Sequence, residues 1–246
     1  MRLFIHRLAR LCEILLAMSG VVVRRTTFAR GASILLSLML YFWMTSVGSI
    51  TIAIGYFAVA TLIHYIVLFG MFMPQGWSRL FIAKYGEEDG FRRYEALMAL
   101  VFFHNGASTA LACTVSAGTL FSIAPEYVWM IAGLMLSCIG LPTKIWATHI
   151  VGIDTYYYRD LFLRRPLGEF RVAGPYKIFR NPMYGVGHLH GYGSALLVGS
   201  LMGLVMVALN QACVWFFYWT IERPFVAEMY KTNESTMIHD PTKDPL

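Results

Sequence analysis

At 246 residues, 57% of them hydrophobic and only 14% charged, with a mean hydropathy of +0.57, the chain is too apolar for a soluble domain and reads as an integral membrane protein. Its 20 Lys and Arg outnumber its 14 Asp and Glu, yet no basic run with interleaved aromatics occurs away from apolar segments. That argues against nucleic acid as a partner and for charge facing anionic lipid headgroups.

Residues 1–30 read as an amphipathic helix followed by a basic linker. Arg2, His6, Arg7 and Arg10 oppose Ile5, Leu8, Leu11 and Leu15, the pattern of a helix lying in the membrane interface. Arg24 and Arg25 stand where a cleaved leader would need small residues, so the segment is expected to stay in the mature chain. Residues 31–150 read as four spans. Positions 31–73 are twice the ~20 residues that cross a bilayer and divide at Ser46–Ser49 around Gly48, and further apolar runs cover about 96–121 and 127–150. Residues 151–231 read as a Tyr- and Arg-rich loop, a glycine-rich hairpin of two spans at about 184–201 and 203–221, and a short surface helix after Pro224. Residues 232–246 are polar and read as a flexible tail.

Six spans put 19 of the 20 Lys and Arg on one side, with Lys144 inside the fourth span, which predicts both termini in the cytoplasm. The host would be the endoplasmic reticulum membrane in a eukaryote or the inner membrane in a bacterium. Cys12, Cys113, Cys138 and Cys213 lie singly in apolar segments and read as buried small hydrophobes, with no metal site.

Polar residues inside spans carry the chemistry if any do. His64, His104 and Asn105 are most simply helix-to-helix hydrogen-bonding groups, while Lys144 and His149 lie close enough to a helix end to snorkel. The fifth span is different. Gly185, Gly187, Gly191, Gly193 and Gly199 weaken it as an isolated helix, and Gly187 with Gly191 forms a face that a backbone or a flat ligand can approach. Asn181 and Pro182 mark its start as cap and first-turn residue, Tyr184 and His188 share its small face, and Glu222 ends the last span at the same depth.

The segment RNPMY, a glycine-rich apolar hairpin and then ERPFVAEMY, in that order, resembles the phospholipid methyltransferases over roughly residues 140–231. The resemblance, shared with the wider group that includes isoprenylcysteine carboxyl methyltransferases, implies an all-α membrane fold without a Rossmann sheet. It also implies S-adenosylmethionine held by the carboxy-terminal hairpin, and methylation of phosphatidylethanolamine or its mono- and dimethyl forms toward phosphatidylcholine. By position it nominates Arg180, Asn181, Pro182, Tyr184, Gly193, Glu222 and Phe225 for the cofactor, to which the small face adds Gly187 and Gly191. The family's acidic pair is here Glu222 and Arg223, and its GxG element has no clean match, leaving Gly140 and Gly152 as the nearest candidates. Alternatives are a methyltransferase of the same fold acting on a thiol or prenylcysteine carboxylate, and a transporter or assembly protein without enzymatic activity.

The residue types suit the chemistry. Methyl transfer needs a methyl donor and a neutral amine held close together, so positioning carries much of the catalysis. Arg180 and the N–H groups after Asn181 suit a carboxylate. A protonated headgroup amine must lose a proton, for which Glu222 or His190 is the candidate base with Tyr184 beside it, and His188 is a second imidazole. Arg164, Arg165, Arg171 and Lys177 are candidates for the lipid phosphate.

Overall fold

The protein is described by a computed structural model over residues 2–22, 27–167 and 173–230; Arg24, Arg25, Arg171 and the carboxy-terminal tail lie outside the described residues. Among these residues every regular element is helical, and five helices are long and apolar enough to cross a membrane, as an all-α integral membrane protein requires.

The first helix, α1 (Arg2–Met18), turns Ile14 and Ala17 into the core and leaves Ile5, Leu8 and Leu11 exposed along one side. The chain then passes close over a later span. A side chain at Gly20, whose φ is +85°, would sit 2.2 Å from the Ala99 carbonyl oxygen. The helices α2 (Phe28–Val47) and α3 (Ile50–Phe72) are joined by the expected tight turn. Gly48 ends α2 at φ 64°, a left-handed conformation that favours glycine, and Ser49 caps α3 by accepting from Ile52 N.

A short helix, α4 (Trp77–Tyr85), precedes the long α5 (Glu87–Val115). The latter starts well before the expected third span because Glu87, Glu88 and Asp89 fill its first turn, where negative charge opposes the helix dipole. It also stops short of residue 121. The following loop instead binds the 198–200 turn, with Gly118 N donating to Val198 O at 2.9 Å and the Ser116 and Ser200 hydroxyls 2.6 Å apart. The fourth span is α6 (Glu126–Val151), and the polar loop after it folds into α7 (Ile153–Tyr156) and α8 (Arg159–Leu163). Arg159 fixes that loop by donating to Asp154 and to Glu88 at the start of α5, at 2.6 Å each.

The glycine-rich segment differs from a regular span. A capped turn leads into a 3-10 turn, Val186–His188, and then a nine-residue helix, α9 (Leu189–Leu197), about 14 Å long against the ~30 Å of a hydrocarbon core. The segment still runs from the Tyr184 end of the bundle to the loop at the opposite end, so it is a broken sixth pass beside five continuous helices. The cause is steric as well as entropic. α9 lies so close against α6 that a side chain on Gly140 would meet His190 N at 2.3 Å, and one on Gly193 would meet Gly133 O at 2.7 Å.

The last pass, α10 (Leu201–Phe217), continues through one π turn, Tyr218–Glu222, into α11 (Arg223–Met229). The chain therefore does not leave helical geometry at Pro224, where the sequence predicts a bend or a stop. Arg223 N donates five residues back to Tyr218 O, and the wider turn accommodates a residue that has no N–H to donate. Among the cysteines, Cys113 is buried, whereas Cys12 and Cys138 are exposed on helix faces.

Candidate functional site

Asn181 begins the site. Its side-chain Oδ1 accepts from Tyr184 N at 3.0 Å, and its carbonyl accepts from Gly185 N at 3.1 Å, so Asn181 caps a tight turn rather than the start of a regular helix. The turn delivers Tyr184 to a fixed place. Gln211 on α10 donates to the Tyr184 carbonyl at 2.9 Å, and Trp215 and Tyr218 meet the ring edge-on.

From there the Tyr184 hydroxyl donates to Glu222 Oε2 at 2.7 Å, and the Tyr158 hydroxyl lies 3.0 Å from it. Tyr158 comes from the α7–α8 loop at φ 59°, a region that a bulky residue enters only under strain costing roughly 1–3 kcal/mol. Its ring is packed between Phe72 and Phe217, which hold it there. The loop, the turn and the π turn thus meet at three side chains.

Two cavities adjoin this cluster and share a wall of Tyr156, Tyr158, Met183 and Tyr184. The outer cavity, about 370 Å³, is bordered by Glu222, Asp160, Tyr176, His149, Gly152 and Arg10. The inner one, about 220 Å³, is bordered by Lys144, His64, His188, His190, Asn105 and Asn210 among others. Asp160 is buried; burial pushes its carboxyl above the usual range, while the Leu161 N–H, donating at 2.9 Å, pulls it back. Burial, followed by the Glu222 charge, raises the Tyr176 and Tyr158 phenols well above their ordinary value. Both hydroxyls remain protonated donors at neutral pH.

The outer cavity fits a zwitterionic cation of the kind the resemblance implies. Asp160 and Glu222 face the same space and favour an amino group or sulfonium, while Arg10, which donates to Glu13 Oε2 at 2.9 Å, and the His149 imidazole border its other side.

The structure brings together Tyr184, Glu222 and Gly152 at the outer cavity, and Tyr184, His190 and Gly191 at the inner one. Other expected site residues lie elsewhere. Gly140 is covered by the His190 backbone, Gly187 by the Pro182 carbonyl and Lys144, and Gly193 by α6, so their close approaches serve helix packing and leave no room for a ligand. Gly152, at φ +86°, has nothing within 4 Å of a built Cβ and keeps an open wall. Phe225 packs on the aromatic core, Pro182 is buried, and Arg180 and Lys177 are exposed. The N–H groups of Tyr184, Gly185, Gly187 and His188 are satisfied within the turn and offer no anion site.

Arg164 donates to the Phe72 and Met73 carbonyls, and Arg165 pairs with Glu87, so both close helix ends instead of standing free for a phosphate. Lys144 lines the inner cavity with His188 and His190 rather than lying at the helix end. His104, by contrast, bonds Ser37 and Tyr56 as a helix-to-helix link. The sequence reading missed Tyr158, Asp160 and Tyr176. The run TYYYRD held the signal, a carboxylate among aromatics in an interfacial loop, but its strained turn has no sequence signature.

A family model described as phospholipid methyltransferase matches residues 128–233, the segment that contains all three parts of the cluster. A phosphatidylethanolamine N-methyltransferase of Meyerozyma guilliermondii is 30% identical over 105 residues, covering 42% of this chain and 12% of that protein. The enzyme of the same name from Candida tropicalis is 25% identical over 155 residues, 60% of this chain and 18% of that protein. One from Kluyveromyces lactis is 25% identical over 117 residues, 48% of this chain and 13% of that protein. The chain thus spans less than a fifth of the length of these relatives. No solved structure matches it. Over residues 128–233 the chain is thus similar to the phospholipid methyltransferases, a family model of which matches this segment.

Proposed function

We propose that this protein transfers methyl groups from S-adenosylmethionine to the ethanolamine nitrogen of phosphatidylethanolamine, or of its mono- and dimethyl forms, toward phosphatidylcholine. The observation that carries the reading is the Tyr184–Glu222 hydrogen bond, which joins the NPMY and ERPF segments at one cavity at the end of a membrane bundle. The phosphatidylethanolamine N-methyltransferases to which the chain is similar supply the reaction class.

The outer cavity holds the donor. Arg10 and His149 take its carboxylate, Asp160 and Glu222 its amino group and sulfonium, and Tyr176 lines the same wall. When bound, S-adenosylmethionine supplies a methyl carbon on positively charged sulfur, which becomes a neutral thioether once an amine lone pair has taken that carbon.

The chain's own part is positioning and proton handling. Tyr158 and Tyr184 fix the shared wall, and their hydroxyls are held by each other and by Glu222. The ammonium proton of the acceptor must leave before attack, and two groups can take it. Glu222 lies on the outer side. His190 lies on the inner side, where its Nδ1 is bonded to the Gly187 carbonyl at 2.6 Å; because that carbonyl only accepts, Nδ1 carries the hydrogen and Nε2 is left as an acceptor.

A panel of acceptors in lipid vesicles tests the reading: ethanolamine phospholipids, a prenylcysteine and a lipophilic thiol, each with labelled methyl donor. Label in the ethanolamine lipids alone supports it. Label in the prenylcysteine or the thiol alone assigns the protein to another substrate of the same fold.

A further inference from the structure

None of the side chains assigned above to the methyl donor lines the inner cavity, whose lining is unusual for a membrane bundle. Lys144 borders it without an ion-pair partner among the described residues. His64, only 8% exposed, also lines it. A half-buried cation without a counter-charge at this depth is costly unless a polar ligand enters the cavity it borders.

The sign of that ligand follows from its surroundings. Lys144, His188 and His190 line the cavity and no carboxylate does, so an anion is favoured. The outer cavity already provides cations and carboxylates suited to the methyl donor, whereas the acceptor lipid carries one anionic group, its phosphodiester.

Depth agrees with a lipid. α6 has 26 residues, about 39 Å against a hydrocarbon core of ~30 Å, so each end overshoots by roughly 4–5 Å if the helix is centred. Lys144 lies seven residues before Val151, which places its Cα about 6 Å below the hydrocarbon boundary, one helical turn in.

We propose that the inner cavity is the acceptor headgroup site, with Lys144 as the ligand of the lipid phosphate. The inference rests on the function proposed above. The phosphodiester sits at Lys144, and the amine extends to where the two cavities adjoin beside Tyr158 and Tyr184, so that its nitrogen can touch the donor's methyl carbon. The ammonium N–H bond breaks toward His190 Nε2, which gains the proton while the electron pair stays on nitrogen. The phosphate also offsets the charge that His190 acquires beside Lys144. Asn210, which donates to Asn105 at 2.7 Å, closes the far side of the cavity.

The test uses the full chain in lipid nanodiscs and the soluble probe glycerophosphoethanolamine, followed by phosphorus NMR, with methyl-donor affinity measured by calorimetry. Lys144→Met keeps the length and removes the charge, so it is tolerated in a buried position. The expected result is at least a tenfold loss of probe affinity and a tenfold higher lipid KM, with donor affinity within twofold of wild type and Lys144→Arg recovering most of the probe binding. A Lys144→Met protein that binds the probe as wild type does, or that loses donor affinity, overturns the proposal. The two readings fail separately: if the wild type methylates no ethanolamine lipid, the function is wrong; if it does and Lys144→Met keeps the wild-type lipid KM, the headgroup site is wrong.

Discussion

The Tyr184 hydroxyl donates to Glu222 Oε2 at 2.7 Å across 38 positions of chain. Everything between them, the broken pass, the turn at Gly199 and α10, serves to return the chain to that contact. Hydrogen bonds to a charged group are worth about 1.5–3 kcal/mol, so Tyr184→Phe is expected to lower kcat/KM by roughly 10- to 150-fold. Glu222→Gln keeps an acceptor but removes the charge, and is expected to weaken donor binding more than Tyr184→Phe does. Calorimetry with the methyl donor and initial rates on the same preparations check both.

Asp160 gives a pH dependence with a definite sign. Burial holds its carboxyl above the ordinary aspartate range near ~3.9, so its proton is lost only at higher pH. Attraction to a cationic donor exists only after that loss. Donor affinity is therefore expected to weaken as pH falls through the raised value, within a window above the usual aspartate range. Asp160→Asn retains an oxygen that can accept from Leu161 N, so the fold should persist, with weaker binding and without that limb of the pH profile. Binding isotherms from pH 5 to pH 8 on both proteins read the difference directly.

Gly140→Ala and Gly193→Ala test the packing of the broken pass. An added methyl would sit 2.3 Å from His190 N in the first and 2.3 Å from Ser137 Oγ in the second, with the Gly133 carbonyl oxygen a further 2.7 Å contact there. Backbone must move, and overpacking of this kind costs about 1–3 kcal/mol. Both variants should melt earlier, with donor binding and lipid turnover falling together. Gly152→Ala has open space around the new methyl but a φ of +86°, so its penalty is conformational.

Arg165→Gln is expected to change little. Its partner Glu87 is half exposed, as is Arg165 itself, and such a surface pair contributes at most about 1 kcal/mol. A lipid KM within twofold of wild type in vesicles lacking anionic lipid would fit the role seen here, closure of a helix end. A tenfold rise would return Arg165 to the phosphate.

Much of the membrane architecture was legible because the bilayer imposes length and apolarity on each span, and because Gly48 with Ser49 marks a tight turn. What periodicity could not show was how glycine acts in context. The five glycines between 185 and 199 predict a weak helix, but only the facing backbone of α6 shows that Gly140 and Gly193 are packing contacts. At Pro224 the π turn absorbs the missing donor, so the chain passes into α11 without leaving helical geometry. At the site, Tyr184 and Glu222 were found through motifs at fixed places in the chain. Tyr158, Asp160 and the orientation of Lys144 depend on a loop conformation and on what packs beside it, which no single-sequence pattern encodes.

The most direct measurement is methyl transfer by the purified full chain in vesicles containing phosphatidylethanolamine, with labelled S-adenosylmethionine and separation of the lipid products. The account predicts label in N-methylated phosphatidylethanolamines, reduced by an order of magnitude or more in Tyr184→Phe. No label in phosphatidylethanolamine or in its mono- and dimethyl forms, from protein shown by calorimetry to bind the donor, would contradict it.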